Sequence, residues 1–129
     1  MNREGPGRRK KMEIGICAGI DQASFAAKAG YDYIELPLCT LAALSEKEFS
    51  DARKTIERAG FPCRAFNLLL PGKMKILGEK PDRKQLEKYA ENALKRAADI
   101  GGTVVVFGSG GARRIPDGMN RDEAWRQMM

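Results

Sequence analysis

The sequence contains no histidine and only three cysteines among its 129 residues. Cys17, Cys39 and Cys63 are separated by 22 and 24 positions, so no two of them have the short spacing of zinc ligands. Each cysteine lies in or beside an apolar segment that predicts a strand. We interpret all three as unpaired thiols that pack in the core, which indicates a reducing, cytoplasmic compartment.

Long hydrophobic runs are also missing. No apolar run approaches the ~20 residues of a membrane span, and the N-terminal segment lacks the hydrophobic stretch that a secretory signal needs. A hydrophobic content of 43% with 31% charged residues is typical of a soluble globular domain. The length provides for one domain with one core, and we expect no membrane partner.

The excess of positive charge is concentrated at the N-terminus. The net charge is +6, but residues 1–11 hold five basic residues against one acidic residue, which leaves only +2 for the other 118 residues. Residues 1–11 contain glycine and proline without apolar periodicity, so we predict a disordered basic extension before a domain over residues 12–129. Because the basic excess of that domain is small, the composition argues against a nucleic-acid partner.

After this extension, strand and helix patterns alternate four times. Short apolar segments are separated by amphipathic segments that carry apolar residues on one face. Such alternation with short connections predicts an α/β fold with a parallel sheet and right-handed crossovers. The predicted strands cover residues 12–18, 31–38, 63–70 and 103–107, and the predicted helices cover residues 22–29, 46–59, 83–100 and 121–129.

Side-chain caps predict where the helices begin. Ser45 and Glu48 form a capping-box pattern, Asp21 and Asp82 each precede a helix, and Asn120 opens the last one. Glycines follow the first three helices, as is usual at a helix end. The fourth helix has no such stop and is short for covering a sheet, so we expect the chain to end within a helix.

Two architectures fit this pattern, a four-stranded flavodoxin-like sheet and half of a (β/α)₈ barrel. The spacing of the strands does not distinguish them.

The segment over residues 103–114 (TVVVFGSGGARR) predicts a candidate anion-binding loop. Its first half is β-branched without polar alternation, which predicts a strand covered on both faces. Glycines in the second half allow backbone N–H groups to approach a ligand, and arginines bind phosphate or carboxylate through two hydrogen bonds. The alternative interpretation is a tight turn that binds nothing.

Four segments of the chain together resemble one family. They are residues 30–36 (GYDYIEL), 59–60 (AG), 66–72 (FNLLLPG) and 106–113 (VFGSGGAR). They are similar to the N-terminal half of the xylose isomerase-like TIM barrels, which include sugar and sugar-phosphate isomerases and epimerases. The resemblance covers residues 12–129 and implies four βα units that form the N-terminal half of a (β/α)₈ TIM barrel, truncated in helix 4.

The resemblance implies a metal-dependent isomerase or epimerase with a small sugar or sugar-phosphate substrate. In that family, Glu, Asp, His and Glu side chains from later strands hold a divalent metal, and they have no counterparts in this chain. We therefore expect the chain to be an N-terminal fragment that is inactive by itself, with no catalytic residue to assign.

Binding residues are expected where the strands end, because TIM-barrel sites lie at the C-terminal ends of the strands. There the resemblance implies substrate contacts by Glu35, Asn67, Ser109, Gly110 and Arg113. Each has a structural alternative: a salt-bridged carboxylate for Glu35, a core amide for Asn67, a turn for the glycine loop and a solvated side chain for the arginine.

Two other functions remain open at this stage. Four strands leave two open sheet edges, so the chain could be a non-enzymatic half-barrel that self-associates as a homodimer. An endonuclease IV-like DNA-repair relative is the other alternative, although that activity requires metal-binding histidines, which the sequence lacks.

Overall fold

A computed structural model describes residues 12–129, and the predicted basic extension lies outside these residues. Four parallel strands alternate with helices and form one sheet in the order β1-β2-β3-β4. This arrangement confirms the predicted α/β fold of four parallel strands alternating with helices. The strands are β1 Gly15–Cys17, β2 Tyr33–Pro37, β3 Cys63–Asn67 and β4 Val104–Val105.

Six α-helices and one 3₁₀ turn connect the strands in the described part of the chain. The 3₁₀ turn covers Ile20–Gln22, and the α-helices are α1 Ala23–Lys28, α2 Leu38–Ala43, α3 Glu46–Ala59, α4 Arg83–Ile100, α5 Gly110–Arg113 and α6 Arg121–Met128.

The capping residues define the starts of the longer helices. Ser45 and Glu48 form a complete capping box at α3, and the Asp82 carboxylate accepts the Gln85 N–H at α4. The Asn120 side chain likewise caps α6. The prediction that Asp21 caps the first helix is wrong, because its carboxylate accepts the Gln22 side-chain amide and the 3₁₀ turn precedes α1.

Helix α2 is a second difference from the prediction, which continued the second strand through Leu38. Pro37 is the N-cap of α2 with extended backbone angles, so the chain passes from β2 into a helix without a loop. Leu38 and Leu41 are buried in this helix. An apolar run of this length fits a buried strand or a buried helix equally well, which explains the error.

The core lies between the sheet and the surrounding helices. Ile34 and Leu36 of β2 and Phe66 of β3 are fully buried, and Ala93 and Ala97 of α4 belong to the same cluster. Small residues let the helix approach the sheet closely. Gly102 is required for the same reason, since a Cβ there would lie 2.1 Å from the Phe66 ring.

The opposite face of the sheet, which we call the inner face, is open. Residues of β2 alternate, so that Tyr33, Glu35 and Pro37 are half-buried while their neighbours are buried. The prediction of a strand covered on both faces is wrong for β4, because helices cover only its outer face. Val104 on the inner face is 53% exposed, and Val106 is 46% exposed.

No helix within residues 12–129 is both long enough and apolar enough to cross a membrane.

Candidate functional site

Three polar side chains meet on the inner face at the carboxyl ends of the first three strands. Asn67 Nδ2 donates a hydrogen bond to Glu35 Oε1 at 2.9 Å and also contacts the Cys17 sulfur. The Cys17 thiol lies 3.8 Å from the same Glu35 oxygen and donates to it. We call Cys17, Glu35 and Asn67 the inner cluster.

The register of the parallel strands brings these residues together. Cys17 pairs with Glu35 between β1 and β2, and Pro37 pairs with Asn67 between β2 and β3. All three side chains lie on the inner face. One polar residue from each of the three strands therefore produces a single cluster, although Cys17 and Asn67 are 50 positions apart in the chain.

The hydrogen bond to Glu35 fixes the orientation of the Asn67 amide. A carboxylate only accepts hydrogen bonds, so the amide must present its nitrogen to Glu35. The carbonyl oxygen, Oδ1, therefore points away from Glu35 and is the acceptor of this side chain.

The thiol of Cys17 is a hydrogen-bond donor rather than a nucleophile. Desolvation by the surrounding protein raises its pKa, and the nearby Glu35 carboxylate raises it further. A thiol with a raised pKa stays protonated at neutral pH, whereas nucleophilic cysteines have lowered pKa values.

An open concavity of about 490 Å³ adjoins the inner cluster. Cys17 and Asn67 form its polar part, and Pro37, Leu68 and Val106 contribute apolar walls. Glu35 does not line the concavity but supports the two residues that do. The arrangement combines directed hydrogen-bonding groups with apolar contacts, as small-molecule sites do.

The remaining predicted site residues lie in the next loop, outside this lining. Ser109 is buried, and its Oγ accepts the Leu70 N–H at 2.9 Å. Gly110 is the exposed first residue of α5. Arg113 donates from Nε to the Gly108 carbonyl at 2.8 Å. The structure thus brings Glu35 and Asn67 together and leaves Ser109, Gly110 and Arg113 as a separate group.

The observed contacts of the glycine-rich loop are with protein. The guanidinium of Arg113 stacks over the Phe107 ring, with its central carbon 5.3 Å from the ring centroid. A Cβ on Gly111 would lie 3.0 Å from the Gly72 Cα, so two glycines let this loop approach the loop after β3. Lys75 strengthens that approach by donating to the Gly111 carbonyl at 2.6 Å.

Comparison with known proteins identifies the family. The model of the xylose isomerase-like TIM-barrel family matches residues 23–129.

The chain belongs to the xylose isomerase-like TIM-barrel family. Among solved structures, it is similar to the apo crystal structure of the 3-keto-D-glucoside 4-epimerase from E. coli. The TM-score is 0.61 at 18% sequence identity, and the match covers 91% of this chain and 48% of the epimerase chain. This chain therefore spans about half the length of that relative. None of the curated protein sequences matches it.

The residues of the described part do not fit the metal that this family generally uses. Within residues 12–129, no three His, Cys, Asp or Glu side chains lie where they could hold a metal ion. The inner cluster offers one carboxylate and one protonated thiol, which is not the oxygen-rich set that hard divalent cations prefer.

Backbone strain occurs at two positions, one in the loop after β3 and one in the glycine-rich loop after β4. Leu68 has φ 49° and Ser109 has φ 40°, and neither is a glycine. Leu68 directly follows β3, and Ser109 lies a few residues after β4. Leu68 is 47% exposed in the wall of the concavity. Such conformations cost of order 1–3 kcal/mol and persist where the surrounding structure holds them.

Sequence reasoning missed Cys17 and Leu68. Cys17 was interpreted as a core thiol, but it is exposed, whereas Cys63 is buried and Cys39 is intermediate. The alternation of side chains along β1 is the signal that could have identified Cys17, because this alternation places Cys17 on the same face of the sheet as Gly15. No sequence signal predicts the positive φ of Leu68, because leucine rarely adopts it.

Proposed function

We propose that this chain supplies sugar-binding residues in a barrel of the sugar isomerase and epimerase type. The observation that carries the proposal is the inner cluster beside a concavity at the carboxyl ends of the strands, where TIM-barrel sites lie. Family membership and the epimerase relative support a small sugar as the ligand.

Asn67 is the central binding residue in this proposal. Its Oδ1 accepts a hydrogen bond from a sugar hydroxyl, while Glu35 holds the amide in the required orientation. The Cys17 thiol provides a second polar contact at the same end of the concavity. Leu68 and Val106 pack against the C–H groups of the sugar ring, which are apolar.

Ser109, Gly110 and Arg113 are proposed to contact an anionic group when the ligand is a sugar phosphate. The group requires rearrangement first, because the Arg113 guanidinium is engaged by Gly108 and Phe107. Free sugars are therefore expected to need only the inner cluster, whereas sugar phosphates also need Arg113.

We further propose that the inner cluster binds but does not catalyse epimerisation unaided. Proton transfer beside a carbonyl needs a positioned base and acid, and the cluster holds a single carboxylate that is already bonded to Asn67 and Cys17. The unpaired thiols at positions 17, 39 and 63 favour a reducing compartment such as the cytoplasm.

Nuclear magnetic resonance titration tests the proposal directly. D-glucose, D-fructose, methyl glucoside and fructose 6-phosphate are added to the ¹⁵N-labelled chain, and amide shifts are followed. We expect binding with a Kd of about 1 mM, which corresponds to about −4 kcal/mol, with shifts at residues 17–19, 67–68 and 106–108. Asn67→Ala should weaken binding about fivefold, which is one neutral hydrogen bond.

Asn92→Ala is the matched control for this experiment. Asn92 is also a partly buried asparagine with a bonded amide, but its partner is the Ala42 carbonyl, away from the concavity. It should bind sugars like the unchanged chain. Shifts confined to other surfaces, or equal weakening by both variants, would contradict the proposed site.

A further inference from the structure

Exposed large apolar side chains are concentrated in the first and last βα units. The first unit exposes Ile14 beside β1 and Phe25 on α1, the latter 72% exposed. The last unit exposes Val104, Val106 and, on α6, Trp125 at 63%. In between, α3 exposes no large apolar side chain and α4 exposes only Leu94. The exposed apolar surface therefore lies mainly at the two sides of the molecule that carry the outer strands.

Both outer strands of the sheet have an open edge. Among residues 12–129, no strand pairs with the outer edge of β1 or of β4. Because all four strands are parallel, the two edges present complementary backbone donors and acceptors in the same direction. Open edges of this kind form hydrogen bonds with another strand wherever one is available.

We propose that a second copy of this chain docks on both edges and closes an eight-stranded barrel. The β1 edge of one copy pairs with the β4 edge of the other, and a two-fold axis along the barrel repeats the contact. Four strands from each copy make up the eight strands of a (β/α)₈ barrel, and the contact closes after a single repeat.

The helices fit the same arrangement. Closure places α1 of one copy beside α6 of the other, which brings Phe25 next to the partner's Trp125. Large aromatic side chains are the residues that most often dominate an interface. Closure also buries Val104, which would then face the barrel interior from the inner face. One arrangement therefore covers exposed apolar residues of the inner face and of both flanks.

Closure has a consequence for the binding site. It brings two inner clusters, one from each copy, to the same end of the barrel. This consequence rests on the proposed function, whereas the docking itself rests on the fold and on the distribution of apolar surface. Mass measurements test the docking, and sugar titrations test the site, so the two can fail separately.

The experiment is the mass of the full 129-residue chain in solution. Sedimentation equilibrium is run at protein concentrations from about 1 μM to about 1 mM, a range that covers moderate dimer affinities. We expect a species of twice 14.3 kDa. Val104→Lys and Phe25→Glu change residues that are exposed in one copy, so each should fold, and each should weaken the dimer at least about tenfold.

Leu94→Glu is the matched control, because it adds a charge at an exposed apolar residue of the middle helix α4. It should leave the dimer intact. Far-ultraviolet circular dichroism confirms that each variant folds. A monomer at every concentration, an open-ended series of oligomers, or a dimer that resists both Val104→Lys and Phe25→Glu would overturn the proposal, and the mass of the unchanged chain decides it even if a variant unfolds.

Discussion

Asn67 is hydrogen-bonded to the Glu35 carboxylate, which accepts hydrogen bonds but cannot donate them. A substitution at position 67 can therefore test whether an amide is required there. Its amide nitrogen donates to Glu35 at 2.9 Å. An aspartate at the same position would instead place two carboxylates in contact, and like charges raise the pKa of one of them. The amide at this position therefore serves both the proposed binding and the stability of the cluster.

Asn67→Asp should make stability fall as the pH rises from about 4 to about 7. The acid with the raised pKa holds its proton longer in the folded state, so the folded state binds more protons and loses stability when the pH rises. Solvent screens this half-exposed site, so we expect about 1 kcal/mol. Urea unfolding at both pH values measures the effect.

Asn120→Asp is the control, since aspartate caps a helix as well as asparagine and its charge is favourable at the N-terminus of α6. Its stability should stay level or increase slightly over the same range. The same pH dependence in both variants would contradict the carboxylate contact at position 67.

Cys63 carries a second pH dependence at higher pH. Burial raises the pKa of its thiol from 9.0 to about 12, with Glu35 as a smaller contribution in the same direction. The folded state keeps the proton that the unfolded state loses, so stability is fully present below about pH 9 and falls as the pH rises toward 12. Cys63→Ala should remove most of this slope and leave the contribution of Cys17, whose pKa is also raised.

Urea unfolding at about pH 8 and about pH 10 measures the Cys63 effect, since these values bracket the pKa of an exposed thiol. Going no higher than about pH 10 limits the contribution of Tyr89, whose pKa burial raises to about 12. Cys39→Ala, at a half-buried cysteine, is the matched variant and should retain the slope. If Cys63→Ala retains it as well, the burial of Cys63 is not its origin.

At the scale of elements, one arginine fixes the corner between α2 and α3. Arg96 of α4 is buried and donates from Nη1 to the carbonyls of Leu41 and Leu44, each at 2.7 Å. Its guanidinium also bonds to Glu46 at 2.7 Å and lies 4.7 Å from the centre of the Phe49 ring. Three elements thus depend on one side chain that sequence analysis did not single out.

Arg96→Met should destabilise the fold by about 3 kcal/mol, because it leaves buried carbonyls without their donor. Arg53→Met is the matched variant. Arg53 pairs with Glu57 on the surface of α3, and loss of such a pair costs less than about 1 kcal/mol. Chemical denaturation compares them, and amide exchange should increase in α2 only for Arg96→Met. Similar losses in both variants would show that α2 does not depend on this arginine.

Sequence signals predicted those elements whose ends are fixed locally. The capping box at Ser45, the Asp82 cap and the Gly60 stop at φ 59° all depend on residues a few positions apart, and α3 and α4 were predicted with their observed bounds. The start of α2 and the exposure of β4 were not predictable in this way. They depend on which face of the sheet is covered by helices that are distant in the sequence, and a short apolar run does not indicate this.

The candidate site was likewise only partly predictable from the sequence. Glu35 and Asn67 interrupt apolar strands, so the sequence could single them out as polar residues within the sheet. Their direct hydrogen bond and the participation of Cys17 follow from the register between strands, which links positions 50 residues apart. The partners of the glycine-rich loop could not be predicted, because Gly72 and Leu70 belong to a different βα unit.

At the scale of the whole molecule, Trp125 reports on the closure of the barrel. It is the single tryptophan of the chain, and it is 63% exposed on α6. If a second copy covers α6, the indole moves from water into an apolar contact with Phe25 of the other copy. Its fluorescence should then shift to shorter wavelength as the protein concentration rises, and acrylamide should quench it less.

The fluorescence and the mass should change over the same concentration range, because one event causes both. Phe25→Glu should keep the emission at long wavelength at every concentration, whereas Leu94→Glu should follow the unchanged chain. A dimer whose Trp125 stays exposed would mean that the copies associate by another surface. In that case the open edges of β1 and β4 remain accessible, and the two inner clusters do not share one barrel end.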